Sequence, residues 1–201
     1  MDIGKAFNDA WSIYSKNAIT IILSFLVTAI LSIITIGILA TPLFTGFQML
    51  FVKAKRGEAV ELKNIFDPLK NFLNLIIAGL IVFVIVVLIY IIPMLFYRFG
   101  LDTLGRTVNL VAMLALIYLY VSIMYAFLMI QDKGLAPKEA LFASKDLVAK
   151  NNFWMHLLFL VLVGIVYVIP VIIPTLGFIL MFLTGSYACG VLACAYENEA
   201  K

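Results

Sequence analysis

The stretch LAPKEALFASKDLVAKNNFW, from Leu135 to Trp154, carries the pattern that decides the fold. An amphipathic lead-in ends in Lys150-Asn151 and runs directly into a long apolar segment. KAFNDAWSIYSKN (5–17) opens the chain in the same way, and a weaker copy, LKNIFDPLKN (62–71), opens the middle. Each lead-in precedes apolar sequence, a Thr-x-Gly turn and more apolar sequence. The sequence therefore predicts a threefold repeat of lead-in plus helical hairpin.

The composition indicates that the chain is solvated by lipid. Of its 201 residues, 65% are hydrophobic and 12% are charged. Soluble domains carry about 25% charged residues, so too few are present here to cover a soluble surface. A mean hydropathy of +1.14 points the same way. We expect the lipid bilayer as the main partner, consider a membrane-protein partner or a homo-oligomer as well, and expect no nucleic acid.

Four windows without Lys, Arg, Asp or Glu set the number of spans. They are 36, 27, 25 and 46 residues long and cover 17–52, 71–97, 107–131 and 151–196. A spanning helix needs about 20 residues, with about 17 as a lower limit. The sequence therefore predicts an all-α integral membrane protein whose six transmembrane helices cover 18–36, 38–52, 71–92, 107–130, 153–173 and 178–196.

We expect one membrane domain, 1–201, built of units at about 1–56, 57–133 and 134–201. The turns are predicted at Thr35-x-Gly37, Thr103-x-Gly105 and Thr175-x-Gly177. Asp67-Pro68 is predicted to cap and start the third span and Pro93 to end it, while Pro170 and Pro174 break the fifth span. The lead-in helices are expected to lie in the membrane interface, because Ile3, Phe7, Ala10, Trp11 and Tyr14 share one face.

Charge distribution predicts the orientation. In the six-span arrangement, 12 Lys and Arg residues fall on one side and two, Arg98 and Arg106, on the other. Positively charged loops stay in the cytoplasm. We therefore expect a multi-pass protein of the plasma membrane with both termini cytoplasmic.

The chain also resembles a known group of proteins. The stretches KGLAPKEALFASKDLVAKNNFW (133–154) and RGEAVELKNIF (56–66) look like those of uncharacterised prokaryotic six-helix integral membrane proteins. These are related to the membrane domain of some glycerophosphoryl diester phosphodiesterases. The resemblance implies architecture and carries no catalytic residue onto this sequence. We expect no phosphodiesterase catalytic domain here, since every long segment is apolar.

Residues able to do chemistry are few. Ionisable groups inside spans are functional by default, and the charge-free windows contain only His156, which is expected to be an interfacial polar residue. Cys189 and Cys194 are expected to be packing residues that do not pair with each other. We therefore expect no enzyme, no catalytic or metal site and no cofactor.

Two charged groups are candidate contact sites. Lys53, Lys55 and Arg56 follow the second predicted span, where they would anchor the chain or contact a lipid or partner. Arg98 and Arg106, with Asp102 between them, would form a ladder of local ion pairs on one helix or contact an external anion.

The predicted function is that of a non-enzymatic membrane organiser or partner- and lipid-binding protein. The alternative is a small-solute transporter or channel subunit with a polar path through Ser24, Thr28, Ser32, Thr45 and Gln48. Gln48 discriminates between the two predictions. The transporter prediction is favoured if Gln48 faces a central cavity together with the Ser/Thr stripe. A packing role for these side chains is favoured if Gln48 faces a neighbouring helix.

Overall fold

The computed structural model describes residues 1–173 and 176–200, with every side chain in that part except that of Phe178. None of these residues lies in a β-strand. Two 3-10 helices cover Leu62–Asn71, called the loop helix below, and Ile169–Ile172. The α-helices are α1 Ile3–Lys16, α2 Ala18–Ile34, α3 Ala40–Lys55, α4 Phe72–Arg98, α5 Asp102–Ile123, α6 Ala126–Lys133, α7 Pro137–Lys150, α8 Phe153–Val168 and α9 Gly177–Glu199.

Four segments of the described chain are long and apolar enough to cross a membrane. A fifth is added if α1 and α2, which meet at a bend of 97°, form one broken span. At 1.5 Å per residue, α2 and α3 are each about 25 Å long, less than the hydrocarbon thickness of about 30 Å. Their lengths therefore support fewer spans than the predicted six. The four segments are Leu62–Arg98, Asp102–Lys133, Phe153–Ile172 and Ile179–Glu199.

The first Thr-x-Gly turn lies where the sequence predicted it. Between α2 and α3 the backbone φ angle is +50° at Ile36 and +81° at Gly37. Glycine adopts this left-handed conformation at no steric cost, which explains its place in the turn.

The second predicted turn is wrong. Thr103-Leu104-Gly105 lies in the first turns of α5, and the chain reverses instead at Phe99–Leu101, where Gly100 has a φ angle of +72°. Gly105 is needed for packing: a Cβ there would come within 2.9 Å of the Tyr97 ring. The third turn cannot be compared, because Thr175 and Pro174 lie outside the described residues.

The predicted limits of the third span also need correction. Helix α4 begins at Phe72, and it continues through a buried Pro93 to Arg98. Asp67 does not cap it, because the Asp67 carboxylate pairs with Lys53 at 2.7 Å. A proline inside a helix removes one hydrogen bond, and transmembrane helices tolerate this where neighbours re-satisfy the backbone.

The fourth span is broken and the fifth changes its helix type. The predicted segment 107–130 consists of α5 and α6, separated at Met124-Tyr125. Ser144 of α7 bridges the break: its Oγ donates to the Ser122 carbonyl at 2.8 Å and accepts from the Tyr125 N–H at 3.2 Å. Helix α8 gives way to a 3-10 helix containing Pro170, in agreement with the predicted break.

Helix α9 lies at the centre of the packing, in contact with α1, α3 and α8. The ring of Phe51 on α3 packs where a Cβ of Gly190 would stand. Helix α1 packs along α9, and Tyr187 donates to the Phe7 carbonyl at 3.0 Å. Ala6 and Ala10 of α1 are fully buried, whereas Trp11 is exposed. Much of the predicted apolar face of α1 is thus covered by protein.

Candidate functional site

The three cations at the end of α3 are tied into the protein. Arg56 donates two hydrogen bonds to Asp132, at 2.6 and 2.9 Å, and two more to Oε2 of Glu197, at 2.6 and 3.1 Å. Tyr196 also donates to Asp132, at 2.8 Å. Hydrogen bonds to Asp132 and Glu197 raise the pKa of Arg56 above its ordinary value, so the guanidinium stays charged. These four residues join the ends of α3, α6 and α9.

The two lysines make equivalent links. Lys53 pairs with Asp67 of the loop helix at 2.7 Å. Lys55 donates to Asp9 of α1 and to Asn198 of α9, both at 2.5 Å. We call Lys53, Lys55, Arg56 and their acidic partners the cationic clasp. The predicted role of these cations as lipid or partner contacts stays a prediction, and their first role in the structure is to hold helix ends together.

Arg98 and Arg106 are brought to one end of the α4–α5 hairpin. The predicted ladder on one helix does not form, because α4 ends at Arg98 and α5 begins at Asp102. All three side chains are exposed, and none has an ion pair within 4 Å in the described part of the chain. The prediction that they contact an external anion stays a prediction.

His156, predicted to be an interfacial polar residue, is fully buried by protein about one turn into α8. Its Nδ1 lies 3.0 Å from the Asn152 carbonyl oxygen, and its ring meets that of Tyr125 at 5.8 Å. Within residues 1–173 and 176–200, His156 Nε2 and Tyr125 Oη have no hydrogen-bond partner. The same residues contain no group of three or more His, Cys, Asp or Glu side chains placed to hold a metal. Cys189 and Cys194 are both free thiols.

A cavity of about 370 Å³ lies beside α3, at the depth of the apolar segments. Residues of α3, α4, α5, α6 and α9 line it, and no charged side chain does. Ligand pockets typically range from about 300 to 1,000 Å³. Most of the wall is apolar, and its polar side chains are Thr41, Thr45, Gln48 and Tyr120.

Three of these polar groups have no hydrogen-bond partner among the described residues. The Thr45 hydroxyl donates to the Thr41 carbonyl at 2.7 Å. The Gln48 amide and the Thr41 and Tyr120 hydroxyls make no hydrogen bond within the part of the chain that the structure describes. Seven residues, about 10 Å of helix, separate Gln48 from Lys55. The cavity therefore offers hydrogen-bonding groups that other described residues do not satisfy.

The cavity includes only Thr45 and Gln48 of the predicted polar path. Phe44, Tyr120 and Leu192 also line a second cavity of about 370 Å³ between α5, α8 and α9. Neither lining includes Ser24, Thr28 or Ser32. Ser24 and Thr28 are fully buried, and the Ser32 hydroxyl donates to the Thr28 carbonyl. The condition that favours transport is thus only half met: Gln48 faces a cavity, but the Ser/Thr stripe lies elsewhere.

Sequence reasoning missed two features of this region. Tyr120 is not among the predicted site residues, although its side chain lines both cavities and is 62% exposed. The acidic partners of Arg56, Asp132 and Glu197, are not among the predicted site residues either. The sequence shows that each lies near the end of an apolar segment, but it does not show that Arg56 ends another helix at the same level.

Comparison with family models, with curated proteins and with solved structures finds no match for this chain. The resemblance to prokaryotic six-helix membrane proteins stays an expectation. The functional argument therefore depends on the cavity at Gln48 and on the ion pairs at the end of α3.

Proposed function

We propose that this protein is a non-enzymatic membrane protein that binds a lipid in the cavity beside Gln48. The observation that carries the proposal is the Gln48 amide, which faces an apolar cavity without a hydrogen-bond partner in the described residues. A polar group left unpaired in an apolar environment costs about 1–3 kcal/mol in proteins. An occupant that hydrogen-bonds to Gln48 removes this cost.

The lining defines the chemistry of the occupant. Aromatic and aliphatic side chains fit an acyl chain, while Gln48, Thr41 and Tyr120 offer both donors and acceptors. No cation lines the cavity, so nothing there would neutralise a phosphate. The proposed ligand is a lipid with an uncharged hydrogen-bonding group, such as the free hydroxyl or ester carbonyl of a diacylglycerol.

The placement in the cell is part of the proposal. Three hairpins that each begin and end on one side keep both termini in the cytoplasm, as the excess of Lys and Arg there predicts. This holds whether or not the first hairpin crosses the bilayer completely. The plasma membrane, the threefold repeat and the absence of enzymatic activity are proposed on the same sequence grounds.

Native mass spectrometry after delipidation tests the ligand. We expect the parent protein to retain one neutral lipid, and Gln48→Leu to retain it about 5- to 30-fold less, the effect of losing one hydrogen bond in an apolar site. Thr184→Val is the matched control, because the Thr184 hydroxyl bonds only to carbonyls of its own helix.

Two outcomes would contradict the proposal. One is equal lipid retention by the parent and Gln48→Leu, and the other is a parent that retains no lipid. In liposomes, uptake of a polar solute that disappears in Gln48→Leu would favour the alternative, a small-solute transporter or channel subunit.

A further inference from the structure

The turn that joins α2 to α3 is apolar and exposed at its tip. Ile33, Ile34, Ile36 and Ile38 expose 77%, 68%, 92% and 61% of their surface. No Lys, Arg, Asp or Glu occurs in the whole window 17–52. Exposing four isoleucine side chains to water would be unfavourable, since each Å² of apolar surface in water costs roughly 25 cal/mol. The tip therefore has the surface of a segment surrounded by hydrocarbon.

The N–H groups of this turn need no water. The N–H groups of all six residues from Thr35 to Ala40 donate within the hairpin, at 2.7–3.2 Å. Five donate to carbonyl oxygens, and that of Leu39 donates to the Thr35 hydroxyl. The Thr35 hydroxyl donates in turn to the Leu31 carbonyl at 2.8 Å. An N–H group inside a bilayer requires such an internal partner.

The position of α3 along α4 limits how deep the hairpin reaches. A Cβ on Gly79 would lie 3.5 Å from the Thr41 hydroxyl, so the start of α3 lies beside residue 79 of α4. Helix α4 runs from Phe72 to Arg98. Gly79 is therefore about 10 Å from one end of α4 and about 28 Å from the other. The tip, four residues before Thr41, falls well short of the end marked by Arg98.

We propose that α2 and α3 form a re-entrant hairpin whose isoleucine tip lies among the lipid acyl chains. The hairpin enters and leaves on the side of the cationic clasp, where Lys53, Lys55 and Arg56 hold its end. The chain then has four complete spans and one re-entrant hairpin. The isoleucine tip is a contact surface for bilayer hydrocarbon, and neither water nor a soluble protein covers it. This inference does not depend on the lipid proposed at Gln48.

Spin labels on single cysteines test the depth of the tip. In a chain carrying Cys189→Ala and Cys194→Ala, a label is placed through Ile36→Cys in purified protein, which is then reconstituted into phosphatidylcholine and phosphatidylglycerol vesicles. Leu101→Cys and Glu58→Cys are the controls, since they lie in the α4–α5 turn and in the segment after α3. All three side chains are exposed, so labelling leaves the packing intact.

We expect the label at residue 36 to relax strongly with molecular oxygen and weakly with a water-soluble nickel chelate, the opposite of both controls. A label at residue 36 that matches residue 101 in access to the nickel chelate would overturn the proposal, because the hairpin would then cross the bilayer. A match with residue 58 would overturn it as well, by placing the tip in water on the side it came from.

Discussion

The guanidinium of Arg56 forms a bidentate ion pair with the carboxylate of Asp132, with Nη1 2.6 Å from Oδ1 and Nη2 2.9 Å from Oδ2. The two residues are 76 positions apart in the chain. Their contact ties the end of α3 to the end of α6, and Glu197 adds the end of α9. The ends of three helices from distant parts of the sequence are thus held together.

Removing the ion pairs of Arg56 should destabilise the protein. Arg56→Ala leaves Asp132 and Glu197 without their cation, and their side chains are only 10% and 3% exposed. Removing one partner of a buried pair costs about 3–5 kcal/mol, and since Arg56 itself is 35% exposed we expect about 1–3 kcal/mol. Thermal unfolding in detergent measures the loss as a lower Tm.

Two variants control for charge alone. Arg56→Lys keeps the charge but not the paired geometry, so its Tm should fall between those of the parent and Arg56→Ala. Lys138→Ala removes an exposed cation and should leave Tm unchanged. If Arg56→Ala unfolded at the same temperature as Lys138→Ala, the clasp would contribute nothing to stability.

Gly46 is expected to tolerate no side chain. A Cβ at this position would come within 2.9 Å of Ile65 Cα and closer still to the Ile65 carbonyl, and a backbone cannot rotate away as a side chain can. We expect Gly46→Ala to cost about 1–3 kcal/mol, the usual range for overpacking. Gly164→Ala is the control, because nothing lies within 4 Å of its Cβ and alanine favours a helix. Equal melting temperatures for the two variants would contradict the packing of the loop helix on α3.

The break between α5 and α6 should depend on one hydroxyl. Ser144→Ala would leave the Tyr125 N–H and the Ser122 carbonyl without their bridge. An unsatisfied buried polar group costs about 1–3 kcal/mol. Ser15→Ala is the control, since the exposed Ser15 hydroxyl bonds only within its own helix. Hydrogen exchange should rise at Tyr125 in the first variant and not in the second, and unchanged exchange there would contradict a supporting role for Ser144.

Local sequence signals predicted the parts of the fold that depend on nearby residues. Pro137 begins α7, because proline suits the first turn of a helix. Thr35-x-Gly37 forms a turn, but the same pattern at Thr103 does not, since Gly100 supplies the left-handed residue earlier. Nothing local distinguishes a glycine that turns the chain from one that admits a tyrosine ring.

The candidate site could be predicted only in part. Gln48 stands out in the sequence as an amide within an apolar window, and it does line a cavity. The partners of Arg56 were beyond prediction, because Asp132 and Glu197 come from distant segments whose relative heights depend on how the helices pack. The limited depth of the α2–α3 hairpin could not be predicted for the same reason. The length of a charge-free window gives a number of residues, whereas the depth of the hairpin depends on where Thr41 contacts α4.

Photochemical labelling tests the central claim, a lipid in the Gln48 cavity, most directly. A diacylglycerol with a diazirine in one acyl chain is mixed with the protein in liposomes, irradiated, and its adducts are mapped by peptide sequencing. We predict adducts on the cavity residues Phe44, Val82 and Ile123 that disappear with excess unlabelled diacylglycerol and in Gln48→Leu. Adducts confined to outward-facing residues such as Phe83, Leu88 and Leu110, and unaffected by competitor, would contradict the account.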